Sequence, residues 1–383
     1  MMFYAFTAAV LGINIYSWWK LHKAFLRSNP VCSVILLLII IALLFTPVWS
    51  RLLFRSHHVP DIITQASWTW LAWVFWLFTA FFACDIWELS IYGLNAVRLL
   101  FRPDSSPVLL NLCPTPRTSA FIAIGFVAVA SVWGVIESYN IKVKTVDVFT
   151  DAIPADAPPY TIALISDLHI GPAASNRKIN KVIALLKEHP TDLILSAGDL
   201  IDGRSNREMS LSKRLAELAP PDGKLAVFGN HDVYSSLEFS RECHDASGFK
   251  LLEDAGLSPH PWLFIFGEKD PADGWHPGKL KTENAGDSAT IPPDCFSILL
   301  KHRPDFNSNS KFNLQLSGHS HGGQIFPFTL LVRLQYKHKE SRLHDKGNGR
   351  ALYVSMGTGL WGPPFRVLAP PEITVFAIRR KQP

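Results

Sequence analysis

The run TIALISDLHI, residues 161–170, is apolar through Ile165 and then stops at two polar side chains, Asp167 and His169, spaced by one residue. Four later runs repeat the form: LILSAGDLIDG (193–203), LAVFGNHD (225–232), ILLKHRPD (298–305) and LQLSGHSHGG (314–323). A short apolar run bounded by turn residues reads as a buried strand. Each cluster of Asp, Asn or His therefore falls where a strand ends. Asp167, His169, Asp199, Asn230, His302, His319 and His321 are delivered to successive strand ends in this way. Seven oxygen and imidazole donors, with no thiolate among them, describe a site for two divalent cations.

The spacing supports that chemistry. Asp167 and His169 are two apart, as are His319 and His321, so each pair can turn toward one ion at the mouth of a loop. Gly318 allows the backbone to approach closely. Asp199 offers a single carboxylate that can bridge two cations, and Asn230 adds a neutral oxygen. Mixed imidazole and carboxylate ligation suits Mn, with Zn or Fe as alternatives, better than Ca. Two metals ~3.5–4 Å apart activate a water and clamp the oxygens of a phosphoryl transfer. His231, next to Asn230, is placed to protonate the leaving group, with Asp232 as a candidate to hold its imidazole. Arg204 reads as a solvated surface side chain, with a phosphate contact as the alternative.

Between the runs, Asn176 to Glu188 has the apolar spacing of an amphipathic helix, and Arg207 to Leu218 and Ser235 to Ala246 are further helices. Strand and helix alternate as in an α/β domain with ligands at the carboxyl ends of strands. Beyond Phe249 the pattern becomes strand after strand: KLLED, WLFIFG, FSILL, NLQLSG, ALYVSM and EITVFAI. A second sheet packed on the first, an α/β sandwich, is the expected result.

The first third of the chain is different. Apolar stretches run from about Phe3 to Trp19, Val31 to Trp49, Trp68 to Ala83 and Phe121 to Ile136. They predict an all-α transmembrane region of about four helices over residues 1–140. Asp85 and Glu88 lie at the edge of the third stretch. Residues 141–159 are Pro-rich toward their end and suit a linker or an edge strand. Lys and Arg are slightly richer in the first and third loops, which puts the metal domain, residues 160–383, outside the cytoplasm.

Composition excludes other classes. A net charge of +5 is spread along 383 residues without a basic run, so no nucleic-acid partner is expected. Five cysteines give no disulfide framework. Cys32 and Cys84 read as small buried hydrophobes, and Cys243 with Cys295 could pair only outside the cytoplasm.

The order DxH, GDxxD, GNHD, a single His and GHxH resembles the calcineurin-like metallophosphoesterase superfamily from about Tyr160 to Ile378. The resemblance implies a β-sandwich flanked by helices. It assigns Asp167, His169, Asp199 and His321 to one metal, and Asp199, Asn230, His302 and His319 to the other. His231 would be the general acid and Asp202 would orient the site. The ending SMGTGLWGPPFRVLAPPEITVF is further similar to a bacterial branch with N-terminal membrane segments, often likened to UDP-2,3-diacylglucosamine hydrolases and YaeI-type phosphodiesterases. Its Gly- and Pro-rich turn is expected at the rim of the site. Protein Ser/Thr phosphatases of the superfamily have Arg-Gly after the second Asp of GDxxD, where this chain reads GDLIDGR, so that activity is disfavoured. The resemblance implies a membrane-anchored hydrolase cleaving a phosphate ester or pyrophosphate bond by metal-activated hydroxide, acting on a phosphorylated small molecule or lipid-linked envelope substrate at the lipid bilayer. A membrane sensor or scaffold that uses the metal fold as a binding module is the alternative.

Overall fold

The computed structural model describes residues 2–53, 61–103, 106–273, 289–336 and 340–381. The chain forms two compact units, Met1–Trp133 and Gly134–Pro383.

The first unit is helical: α1 (Met2–Leu21), α2 (Pro30–Leu53), α3 (Asp61–Phe101) and most of α4 (Pro116–Tyr139). Leu77, Ala80 and Phe81 of α3 pack with Ala24, Ala120 and Ala123, small residues that let helices approach closely. Asp85 is held by α1, accepting from Tyr16 Oη at 2.5 Å and from Lys20. Its place at the edge of an apolar stretch is thus explained by an ion pair.

Four membrane-spanning helices were expected, and the structure corrects this to two long apolar helices. Among the described residues, Asp61–Phe101 and Val108–Tyr139 are long and apolar enough to cross a membrane. Helix α1 brings polar side chains inward instead, with Asn14 buried and accepting from Trp70 at 3.3 Å. In α2 the apolar helix is shorter, Pro30–Leu43, and the side chains of 44–53 lie outside the described residues.

The second unit is two mixed six-stranded sheets. The first contains β1 (Lys142–Thr150), β2 (Tyr160–Ile165), β3 (Leu193–Ser196), β4 (Lys224–Ala226), β5 (Lys250–Leu251) and β12 (Glu372–Arg380), in the order β1-β12-β2-β3-β4-β5. The stretch 141–159 thus contributes an edge strand, β1, parallel to β12. β12 runs antiparallel to β2, while β2, β3, β4 and β5 are parallel. The second sheet runs β10-β11-β9-β8-β7-β6, from β6 (Ala255–His260), β7 (Leu263–Glu268), β8 (Phe296–Lys301), β9 (Leu314–Ser317), β10 (Leu343–Gly347) and β11 (Arg350–Val354).

Side chains of both sheets, among them Leu164, Leu195, Ile298 and Leu316, form the buried layer between them. The other face of the first sheet is covered by α5 (Asn176–Glu188), α6 (Asn206–Lys213) and α8 (Leu237–Ser247) through Ile179, Val182, Leu211 and Cys243. Ser175 caps α5, and Ser205 with Glu208 forms a capping box on α6. All five cysteines are free, so Cys243 and Cys295 do not pair, and Cys32 is exposed rather than buried.

Leu195 is fully buried between the sheets. Leu195→Ala is expected to cost about 2–5 kcal/mol, read as a lower midpoint in chemical denaturation.

Candidate metal centre

Parallel strands β2, β3 and β4 end level with one another, and the backbone keeps their loops in step. Asp167 N donates to Gly198 O at 2.9 Å, and His169 N to Asp199 O at 3.0 Å. Asn230 opens the short helix α7 (Asn230–Ser235) directly after β4. From the second sheet, β8 delivers His302, and β9 delivers His319 and His321. His319 N crosses back to the first sheet, donating to Asp167 Oδ1 at 2.9 Å. A Cβ on Gly318 would strike Ser166 Oγ and Asp167 Oδ2, so only glycine permits this crossing.

Six of the seven expected side chains, Asp167, His169, Asp199, His302, His319 and His321, come together here, and Asn230 opens the helix that follows β4. Asp167, His169 and His321 place one ligand atom each within 4.8 Å of one another, and so do Asp199, His302 and His319. Asp199 Oδ2 joins the two groups, 3.1 Å from His302 Nε2 and 3.6 Å from His169 Nε2. Ring nitrogens face each other: His169 Nε2 and His321 Nε2 are 2.9 Å apart, and His302 Nε2 and His319 Nδ1 3.2 Å. His302 Nδ1 donates to Ala197 O at 2.8 Å, which orients the ring with Nε2 toward Asp199.

Donor chemistry fits divalent cations. Among the described residues Asn230 Oδ1 is buried without a hydrogen-bond partner, an acceptor that a cation would satisfy. Burial opposes charging His302, but the Asp199 carboxylate overrides it and raises the imidazole to about 10. Burial likewise pushes Asp199 up, yet His302 and His169 hold its carboxyl well below the usual range. Burial, reinforced by His302, lowers His319 to about 4, and burial with His169 and Arg366 lowers His321 well below its ordinary value. Those two rings are neutral, as ligands must be.

The surroundings of His231 are arranged differently from the expectation. Asp232 does not hold His231. It is fully buried and accepts from Gly229 N at 2.8 Å and Ile201 N at 2.9 Å, tying the β3 and β4 loops together. Asp202 holds the ring, accepting from His231 Nδ1 at 2.9 Å, and its other oxygen lies 3.6 Å from His169 Nδ1. Burial works against the His231 imidazolium, but Asp202 and Asp199 leave its pKa raised. Arg204 points elsewhere, donating to Tyr234 O at 3.1 Å. The Gly- and Pro-rich turn does reach the site: the ring of Trp361 is 5.5 Å from that of His231. Of the loop from Lys269 to Pro293, residues 274–288 lie outside the described residues.

The Calcineurin-like phosphoesterase family model matches residues 160–323, the segment that holds the donors. An uncharacterized metallophosphoesterase of Aquifex aeolicus is 32% identical over 251 residues, covering 64% of this chain and 95% of its own. The chain belongs to the calcineurin-like metallophosphoesterases. It is therefore a metal-dependent phosphoesterase. A Helicobacter pylori (strain J99 / ATCC 700824) metallophosphoesterase, also uncharacterized, is 27% identical over 97% of both chains. A zebrafish (Danio rerio) relative called a transmembrane protein with metallophosphoesterase domain is 27% identical over 68% of this chain and 62% of its own.

One residue of this metallophosphoesterase escaped the sequence reading. Arg366 is fully buried and donates to the carbonyls of Met356 at 2.7 Å, Gly359 at 2.7 Å, His321 at 3.1 Å and Ala369 at 3.2 Å. Burial lowers it to about 10, with Asp167, Glu372 and Glu137 holding it up, so it stays charged at neutral pH. The only signal was a lone arginine inside the apolar run FRVLAPP. Arg366→Met should cost at least ~3 kcal/mol, because several buried carbonyls lose their donor. Metal content by elemental analysis should fall with it, and Arg366→Lys should not restore it, since an ammonium cannot span those acceptors.

Proposed function

We propose that this metallophosphoesterase is membrane-anchored, holds two divalent cations and hydrolyses a phosphate ester or pyrophosphate bond of a lipid-linked or envelope substrate. The observation that carries the reading is Asp199, whose single carboxylate faces both imidazole clusters. Asp167, His169, Asp199 and His321 would hold one cation; Asp199, Asn230, His302 and His319 would hold the other. Bound Mn, or Zn or Fe in its place, would supply Lewis acidity and a nucleophilic water at neutral pH.

The chain's own residues do the rest. His231 keeps the proton for the leaving oxygen. Asp202 fixes its Nδ1, which leaves Nε2 as the ring's other donor. Asp199 Oδ1 accepts from His231 N at 2.7 Å, so the proton donor and the shared carboxylate move as one piece. Anchoring is supported by Asp61–Phe101 and Val108–Tyr139, and by the zebrafish relative's name. Arg98, Arg102 and Arg117 flank the loop between those helices and favour it as the cytoplasmic side, which puts the metal centre opposite.

The full chain with Mn is expected to hydrolyse bis(4-nitrophenyl) phosphate and to lose that activity to a chelator. Asp199→Asn and His231→Ala should each lower kcat by at least ~100-fold. His231→Ala should retain its metals, whereas Asp199→Asn should not. Full activity in both variants would sink the reading. The catalytic proton must be on His231, so activity should fall as pH rises through its raised pKa. Asp202→Asn removes the hydrogen bond that raises it, and should move the alkaline limb of the pH–rate profile to lower pH.

A further inference from the structure

Helix α9 (Phe328–Tyr336, FTLLVRLQY) is inside out. A surface helix ordinarily turns its apolar stripe to the core. Here Thr329 is the buried residue, at 2% exposure, while Leu330, Leu331 and Leu334 are 48%, 54% and 75% exposed. Positions i, i+1 and i+4 share one face, so three leucines form a single ridge, with Arg333 beside it.

The base of α9 is tied down by backbone hydrogen bonds. Phe328 N donates to Ile325 O at 2.9 Å, Phe326 N to Val367 O at 3.0 Å and Val367 N to Gln324 O at 2.9 Å. The same segment is bonded on its other side to the end of α4. Arg366 N donates to Gly134 O at 3.0 Å, and Leu368 N and Ala369 N donate to the Glu137 carboxylate at 3.2 and 2.9 Å. One layer of backbone, residues 366–369, thus joins α9 to the last turns of Val108–Tyr139, a stretch apolar enough to cross a membrane. Leu368 on that layer is itself 58% exposed.

We propose that α9 lies on the lipid surface, with Leu330, Leu331 and Leu334 among the acyl chains and Arg333 at headgroup phosphates. The turn His321–Gly323 leads straight into α9, so docking would hold the metal centre against the bilayer and present it to esters carried by lipids. This deepens the reading of the site as a phosphoesterase for lipid-linked substrates, and its consequence for catalysis rests on that reading.

The test places a photoreactive diazirine amino acid at Leu334, or at exposed Asp345 as control, in the full chain reconstituted in phosphatidylethanolamine–phosphatidylglycerol vesicles. Illumination should give lipid adducts from position 334 and none from 345. Adducts to peptides of this chain or of a second copy, no adducts, or equal lipid adducts at both positions would overturn the proposal. The double variant Leu331→Asp with Leu334→Asp should lose ~10-fold or more in turnover of a vesicle-borne lipid phosphate, about one leucine's burial. It should keep its rate on soluble bis(4-nitrophenyl) phosphate, and unchanged turnover of the vesicle substrate would overturn the role in catalysis. If the double variant misfolds, the adduct pattern decides alone. Lipid adducts from a protein that cleaves no lipid phosphate would uphold docking and remove the lipid-linked substrate.

Discussion

A carboxylate shut away from water must find positive charge close by, and the site is organised around how Asp199 finds it. Its two oxygens face opposite directions. Oδ1 takes the backbone N–H of His231, and Oδ2 lies between His302 and His169. The result is a charge shared across both sheets, because His302 belongs to the second and Asp199 to the first. Displacing Asp199 would disturb both imidazole clusters and the backbone at His231 at once.

Holding that arrangement strains the backbone. Asp167, His169, Asp199, His319 and His321 all adopt left-handed φ, between 46° and 73°. A non-glycine residue there costs on the order of 1–3 kcal/mol unless its surroundings over-determine it. Two devices supply that constraint. Asp232 binds the loops after β3 and β4 together from below. Arg366 gathers the carbonyls of the loops around His321. Both are polar side chains, both are buried, and both act through backbone contacts. The donors are consequently preorganised by the fold before any cation arrives.

This division explains what could be read from the sequence. The donors were legible because each closes an apolar run, and the end of a buried strand is fixed by composition over a few residues. The limits of α5, Asn176 to Glu188, followed from its apolar period and flanking residues. The choice between Asp202 and Asp232 as the partner of His231 was not legible. Adjacency in sequence favoured Asp232, but helix α7 turns that side chain back toward the strand loops. Arg366 was hidden for a related reason, since its partners are carbonyls, which no residue type announces. Helix α9 has a pattern whose apolar face ought to be inward, and only the structure reveals that it faces out. The number of membrane spans was overcounted: among the described residues, Asp61–Phe101 and Val108–Tyr139 alone combine the length and apolar content needed to cross a membrane.

Strand order sets a constraint on how the molecule is made. β1 pairs with β12 and with no other described strand, and β12 is inserted between β1 and β2. During synthesis, therefore, β1 emerges directly after the apolar helices but has no neighbour until Glu372–Arg380 has been translated. For that whole interval it is an unpaired edge bearing Val143, Val146 and Val148, a template for the wrong partner. Lys142, Lys144 and Asp147 place charge along that edge, which guards it until its own partner arrives.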